Sequence, residues 1–189
     1  KLRGADFLPA LLTLGQIEIG RYSQQFDLEL VHDPTGTAPL LLSSPKKVVT
    51  IHDVCPYINP RTSTSLDWLI YHSWLPCALK RVDRILTISN HSREDIARCF
   101  GVPMKKITVI PLAAGKQFHP LPESEIQQVL SRIGIQYPYI LYVGSLEPRK
   151  NLRRLLEAYA LLLDWSSQWH FVIVGVRNIW KSEPLGKLV

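Results

Sequence analysis

The sequence is poor in cysteine and methionine and lacks the short strings that mark several common chemistries. Its three cysteines, Cys55, Cys77 and Cys99, are odd in number and form no Cys-x-x-Cys pair. That excludes a disulfide-stapled scaffold and favours a reducing compartment. The six histidines show no spacing that suits zinc. No P-loop, Gly-x-Gly-x-x-Gly, Gly-x-Ser-x-Gly or His-Glu-x-x-His is present. An Asp-x-Asp for a divalent cation is missing too; the nearest string, Asp27-Leu28-Glu29, lies at the edge of a strand pattern. No apolar run approaches the roughly 18 residues of a membrane span. Phe7 to Leu14 is short, broken by Pro9, and makes a poor signal peptide because no small-residue cleavage site follows. Basic residues come in ones and twos, which argues against a nucleic-acid-binding arm. The single methionine is Met104, so the chain does not begin at a start codon and is expected to be trimmed or a fragment.

What is present describes a globular protein. The 189 residues are 46% apolar and 20% charged, enough for one domain or parts of two with a real core. Twenty-two Lys plus Arg against sixteen Asp plus Glu leave a net charge of +6. This balance suits an anionic partner: nucleic acid, a lipid surface or a phosphorylated small molecule.

Six short apolar runs read as buried parallel strands: Leu28 to Val31, Lys47 to Ile51, Arg84 to Ile88, Ile107 to Ile110, Tyr139 to Val143 and Phe171 to Val174. Helical patterns lie between them. Leu66, Leu69, Ile70, Trp74, Cys77 and Ala78 recur at spacings of three and four, with Pro76 expected to kink or divide the stretch. Ser92-x-x-Asp95 resembles a capping box ahead of Ile96, Cys99 and Phe100, and Gly101 with Pro103 ends that helix. A further stripe runs through Leu152, Leu155, Leu156, Tyr159, Leu162 and Leu163, with Asn151 as its N-cap. Strands alternating with helices predict a doubly wound α/β sheet. Residues 1–120 read as one domain, the proline-rich 121–138 segment as a connection, and 139–189 as the start of a second, incomplete domain.

In open α/β sheets ligands bind beyond the carboxyl ends of the strands. The residues there are His32-Asp33, His52-Asp53, Ser89-Asn90, Pro111-Leu112, Gly144-Ser145 and Gly175. Strands also end in polar loops for purely structural reasons. His52 either donates to a sugar hydroxyl or phosphate, acts as an acid or base, or satisfies a neighbouring carbonyl. The most specific stretch is Tyr139-Ile-Leu-Tyr-Val-Gly-Ser-Leu-Glu-Pro-Arg-Lys-Asn-Leu152: a buried strand, a loop opened by Gly144, then a helix. Arg149 and Lys150 stand at the helix mouth, where cations oppose the helix dipole. An anionic ligand would remove that conflict; two solvated basic residues are the other reading.

Together these segments resemble the family 4 nucleotide-sugar glycosyltransferases, and most of all their mannosyltransferase-like members. The matching strings are Val48 to Val54, Ala78 to Ser92, Ile107 to Leu112, Phe118-His-Pro120 and Tyr142 to Leu152, in the family's order. The resemblance implies a GT-B fold of two Rossmann-like domains, with 1–120 the C-terminal portion of the acceptor-side domain and 139–189 the start of the donor-binding one. It also implies retaining, metal-independent transfer from a nucleoside diphosphate sugar to a glycan or lipid-linked acceptor, with no cofactor. It assigns Gly144, Arg149 and Lys150 to the donor diphosphate, makes His52 the catalytic residue facing the sugar, and gives Asp53, Ser89 and Ser92 a place in a first-domain site. It further implies a cytoplasmic protein with peripheral contact at the inner membrane face; Trp68, Tyr71, Trp74 and Lys80, on or near one helix, are the candidate surface, although Trp74 lies on the apolar stripe and reads as core. The family's glycine-rich acceptor loop and its paired late glutamates are absent, so these 189 residues alone are expected to be inactive. A non-catalytic nucleotide- or polysaccharide-binding remnant is the alternative; a nucleic-acid-binding module rests on the +6 alone.

Overall fold

The computed structural model describes residues 14–38, 45–59, 65–136, 138–147, 150–162 and 169–175. The chain divides into two compact units, Lys1–Ala113 and Ala114–Val189. The expected 121–138 connection holds a helix, Glu123–Ile133.

The first unit is built on four parallel strands: β1 (Leu30–Asp33), β2 (Lys46–Thr50), β3 (Arg84–Thr87) and β4 (Ile107–Val109), side by side in chain order. The first strand begins two residues later than expected, so His32 and Asp33 close it instead of following it. Around the sheet lie α1 (Leu14–Gln25), α2 (Cys55–Ile58), α3 (Ser65–Leu69), α4 (Leu75–Arg81) and α5 (Asn90–Phe100). Val49, Ile85 and Ile107 from the strands share one core with Leu75, Ala78 and Leu79 of α4 and with Ile96 and Phe100 of α5. Each aliphatic side chain fully buried there stabilises the fold by about 1.5–3 kcal/mol.

Pro76 divides the helical stretch as its chemistry demands. A π turn, Ile70–Trp74, joins α3 to α4, and the Leu75 N–H reaches back five residues to the Ile70 carbonyl. Proline lacks the N–H that would continue the α ladder, so the wider turn accommodates it. Cys77, expected on the inward stripe, is exposed.

The α5 cap also differs from expectation. The helix starts at Asn90, and Ser89 is its N-cap: its hydroxyl oxygen accepts from the Ser92 N–H at 3.1 Å. Ser92 and Asp95 thus lie inside the helix. Gly101 ends it with φ +63°, the left-handed conformation glycine adopts without a Cβ penalty.

The second unit holds α6 (Glu123–Ile133), β5 (Tyr139–Val143), α7 (Leu152–Ala160) and β6 (His170–Val174). β5 and β6 pair in parallel from Tyr139↔His170 to Val143↔Val174. Tyr159 ties α7 to β6 by donating its hydroxyl to the Trp169 carbonyl and packing on Phe171 at 5.3 Å. Of the predicted stripe only Leu152 is buried; Leu156 and Tyr159 are half-buried, Leu155 and Leu162 are exposed, and Leu163 lies outside the described residues. Leu141 and Val143 of β5 are likewise exposed, so the expected cover on both faces is not found among the described residues. Both units are parallel α/β, the architecture of the GT-B type. No described helix is long and apolar enough to cross a membrane.

Candidate functional site

In the first unit the polar residues gather at the carboxyl ends of β2 and β3. Pairing of these strands continues to Ile51, whose N–H donates to the Leu86 carbonyl at 2.9 Å. His52 is the first residue beyond it, and its side chain is exposed. Asp53 bonds within its own loop. Its Oδ1 accepts from the Cys55 N–H at 2.9 Å, opening α2, and its carbonyl accepts from the Tyr71 hydroxyl at 3.4 Å. Burial first, then the nearby Asp53 and Asp67 carboxylates, push the Tyr71 pKa up to about 12. Ser89 and Ser92 come together at the start of α5, the Ser89 hydroxyl donating to Ser92 Oγ at 3.0 Å. The capping geometry accounts for both serines.

Asp33, at the end of β1, anchors a network that spacing along the chain did not single out. Its carboxylate accepts from the Thr35 N–H (2.7 Å), the Thr35 hydroxyl (2.6 Å), the Thr37 hydroxyl (2.8 Å) and the Ala38 N–H (2.7 Å). Burial opposes ionisation, but these donors outweigh it and hold the carboxyl below the usual carboxylate range. The turn so fixed receives the Trp74 indole N–H on the Thr37 carbonyl, and His32 bonds Thr50 Oγ1 at 2.9 Å. An Asp followed by Thr, Gly and Thr is the signal of such a turn.

Of the candidate membrane surface, Trp74 packs on the core, as its place on the apolar stripe predicts. Tyr71 and Trp74 are half-buried and packed on the core, whereas Trp68 and Lys80 are exposed.

In the second unit Gly144 follows β5 directly. Its N–H donates to the Val174 carbonyl at 2.9 Å, and the Tyr142 hydroxyl donates to the Ser145 carbonyl at 2.9 Å. Lys150 is exposed, and its N–H donates to the Glu147 carbonyl at 2.9 Å, closing a turn just ahead of α7. Arg149 lies outside the described residues. Asn151 holds the N-cap position, but in the left-handed conformation at φ +55°, and its side chain makes no capping bond. The expected Asn cap is therefore not formed.

Among the described residues no group of three His, Cys, Asp or Glu is placed to hold a metal ion.

Comparison with known proteins covers both units. Residues 6–114 match the Glycosyltransferase Family 4 model, and residues 125–187 match that of Glycosyl transferases group 1. The chain is 32% identical over 166 residues to the O-antigen chain mannosyltransferase B of Escherichia coli, a match covering 85% of this chain and 42% of that protein. It is 25% identical over 150 residues to the O-antigen chain mannosyltransferase RfbU of Salmonella typhimurium, covering 79% of this chain and 37% of that protein. It is also 26% identical over 120 residues to the serotype-specific mannosyltransferase WbdA of Escherichia coli, covering 62% and 15%. The chain spans less than half the length of these relatives.

Proposed function

The chain belongs to Glycosyltransferase Family 4, and on that premise we propose that the protein moves a sugar from a nucleoside diphosphate donor to a glycan or lipid-linked acceptor, with retention and without a metal ion. The observation that carries the reading is the β5 to α7 loop. Gly144 leaves the strand with no side chain, the Lys150 N–H bonds the Glu147 carbonyl, and an exposed ammonium stands before a helix start whose Asn151 makes no side-chain cap. Positive charge at such a place destabilises an empty helix end and suits a bound diphosphate. The departing diphosphate gains charge as the glycosidic bond breaks. Lys150, with Arg149 before it in the sequence, supplies cations where that charge develops. His52 is the exposed acid, base or hydrogen-bonding group directed at the transferred sugar. The relatives are named mannosyltransferases, which favours mannose as that sugar.

Titration of the natural-length protein with a panel of nucleoside diphosphates tests this. Lys150→Ala removes one charge-assisted contact worth about 1.5–3 kcal/mol, so affinity is expected to fall about tenfold or more. Unchanged affinity removes Lys150 from the site.

We place the peripheral membrane contact on the amino-terminal edge of the first sheet. Exposed Arg81, Arg84 and Lys105 stand there beside two depressions of about 550 and 450 Å3, the larger of which also carries the Asp27 and Glu29 carboxylates and Lys46 paired to Asp83 at 3.1 Å. Each such cation near an anionic headgroup is worth about 1 kcal/mol. Sedimentation with phosphatidylglycerol vesicles, at low and high salt, measures the contact; salt-insensitive or absent binding counts against it.

A further inference from the structure

Four rings form a column on the first unit. Phe100, 6% exposed, meets Tyr57 edge-on with centroids 5.2 Å apart. Tyr57 lies on the His72 imidazole at 4.5 Å, and His72 lies on the Trp68 indole at 4.8 Å, each pair within 16° of parallel. The Trp68 side chain at the outer end is 48% exposed. His72 Nδ1 lies 2.9 Å from the Trp68 carbonyl. A carbonyl has no proton to give, so Nδ1–H is the donor, and in the neutral ring Nε2 is an acceptor. The π turn begins between Trp68 and His72, at Ile70, a form of helix irregularity that recurs at functional sites.

A lone exposed apolar residue needs no explanation. Trp68 differs because a stack running down to the core fixes its ring plane. Stacking on His72 restricts its rotamers, so a ligand landing on it meets a smaller ordering cost. The column also hangs from the loop that carries His52: Tyr57 belongs to α2, which Asp53 opens, and Tyr71 from the π turn bonds the Asp53 carbonyl. Residues 52–59 and 65–79 contain no Lys or Arg, and their charged groups are the Asp53 and Asp67 carboxylates; Arg61 lies outside the described residues. That charge pattern disfavours phosphate or anionic lipid and suits a neutral, hydroxyl-rich partner.

We infer that Trp68, backed by His72 and Tyr57, is a stacking platform for a neutral pyranose ring of the acceptor saccharide, which lies on the indole face opposite His72. The inference rests on the transferase reading above. The C–H groups on a pyranose face meet the negative face of the indole.

The test uses the natural-length protein and a mannose trisaccharide, with affinity read by calorimetry and by saturation-transfer NMR. Trp68→Leu keeps bulk without the π-face and is expected to weaken binding about tenfold, while Trp68→Tyr retains most of it. Nucleoside diphosphate affinity is expected to be unchanged in both variants. Equal trisaccharide binding by wild type and Trp68→Leu overturns the platform, as does absence of binding by wild type. So does a Trp68→Leu defect confined to vesicle adsorption, which would assign the indole to a membrane. If wild type binds no nucleoside diphosphate, the transferase reading fails instead, and the two failures are told apart by ligand. Should Trp68→Leu not fold, Trp68→Ala against Trp68→Tyr gives the same contrast: loss of affinity in the first alone is expected, and loss in neither overturns the platform.

Discussion

A Cβ placed on Gly175 would lie 1.9 Å from the carbonyl oxygen of Gly144. The carboxyl ends of β5 and β6 therefore meet backbone against backbone, beside the loop that leads to Lys150. Neither strand end can move aside freely, because the Gly144 N–H is itself bonded to the Val174 carbonyl at 2.9 Å.

Gly175→Ala is expected to destabilise the second unit by about 1–3 kcal/mol, the usual cost of forcing a methyl into filled space. It should also weaken nucleoside diphosphate binding. Gly144→Ala is expected to cost less, since its Cβ would meet the Tyr142 hydroxyl at 3.1 Å, the tip of a side chain that can shift. Thermal unfolding compares the two; a Gly175→Ala protein melting like wild type would show that the strands splay readily.

Ser89→Ala removes the acceptor for the Ser92 N–H at the start of α5. A loss of about 1 kcal/mol is expected in urea unfolding. Ser89→Asp should recover it, because a carboxylate both caps and complements the dipole. A donor-binding defect with unchanged stability would reveal a role beyond capping.

Acid is expected to destabilise the first unit through two carboxyls. Asp33 is held below the ordinary range by its four donors, and Asp83 by the Lys47 N–H foremost, with Lys46 at 3.1 Å adding to it. A carboxyl with a depressed folded pKa takes up its proton first in the unfolded chain. Its contribution is therefore present above about pH 3.9 and is lost as pH falls through that value and the lower folded one. Asp33→Asn should cost about 1–2 kcal/mol at pH 7, the partly exposed carboxyl setting the modest size, and should flatten the acid limb. Urea unfolding from pH 7 to pH 3 reads both effects.

Tyr71 sets the alkaline limb. Its folded pKa of about 12 exceeds the ordinary phenol value of 10.0, so the unfolded chain ionises first and stability falls as pH rises from 10 to 12. Among the seven tyrosines, one should titrate last by absorbance near 295 nm, and Tyr71→Phe should abolish that step.

His52→Ala in the natural-length protein is expected to lower kcat by about a hundredfold or more, the range of a lost acid–base group. Nucleoside diphosphate affinity should stay intact, separating chemistry from donor binding. Equal losses in both would reassign His52 to the donor pocket.

Much of this protein can be read in the sequence because its signals are local. Runs such as Tyr139 to Val143 are apolar enough to be strands whatever surrounds them, and Gly101 and Pro76 act through their own backbone chemistry. The ordered strings from Val48 to Leu152 likewise carry the family, which the matches at 6–114 and 125–187 show. Three-dimensional packing sets the rest. Ser92-x-x-Asp95 has the spacing of a capping box, yet Ser89 caps α5, because the end of β3 at Thr87 fixes where the chain turns into the helix. Cys77 fits the periodicity but faces out, since the π turn shifts the helical phase. The Asp33 network, the ring column ending at Trp68 and the contact of Gly175 with Gly144 join residues whose relation emerges only once strands and helices are placed. Side-chain type and spacing along the chain are enough to say which segments are strands, which are the more amphipathic helices and which family they compose, although α1 (Leu14–Gln25) and α2 (Cys55–Ile58) carry no such pattern. Which polar groups meet, and which rings face solvent, depends on distances through space that no such spacing encodes.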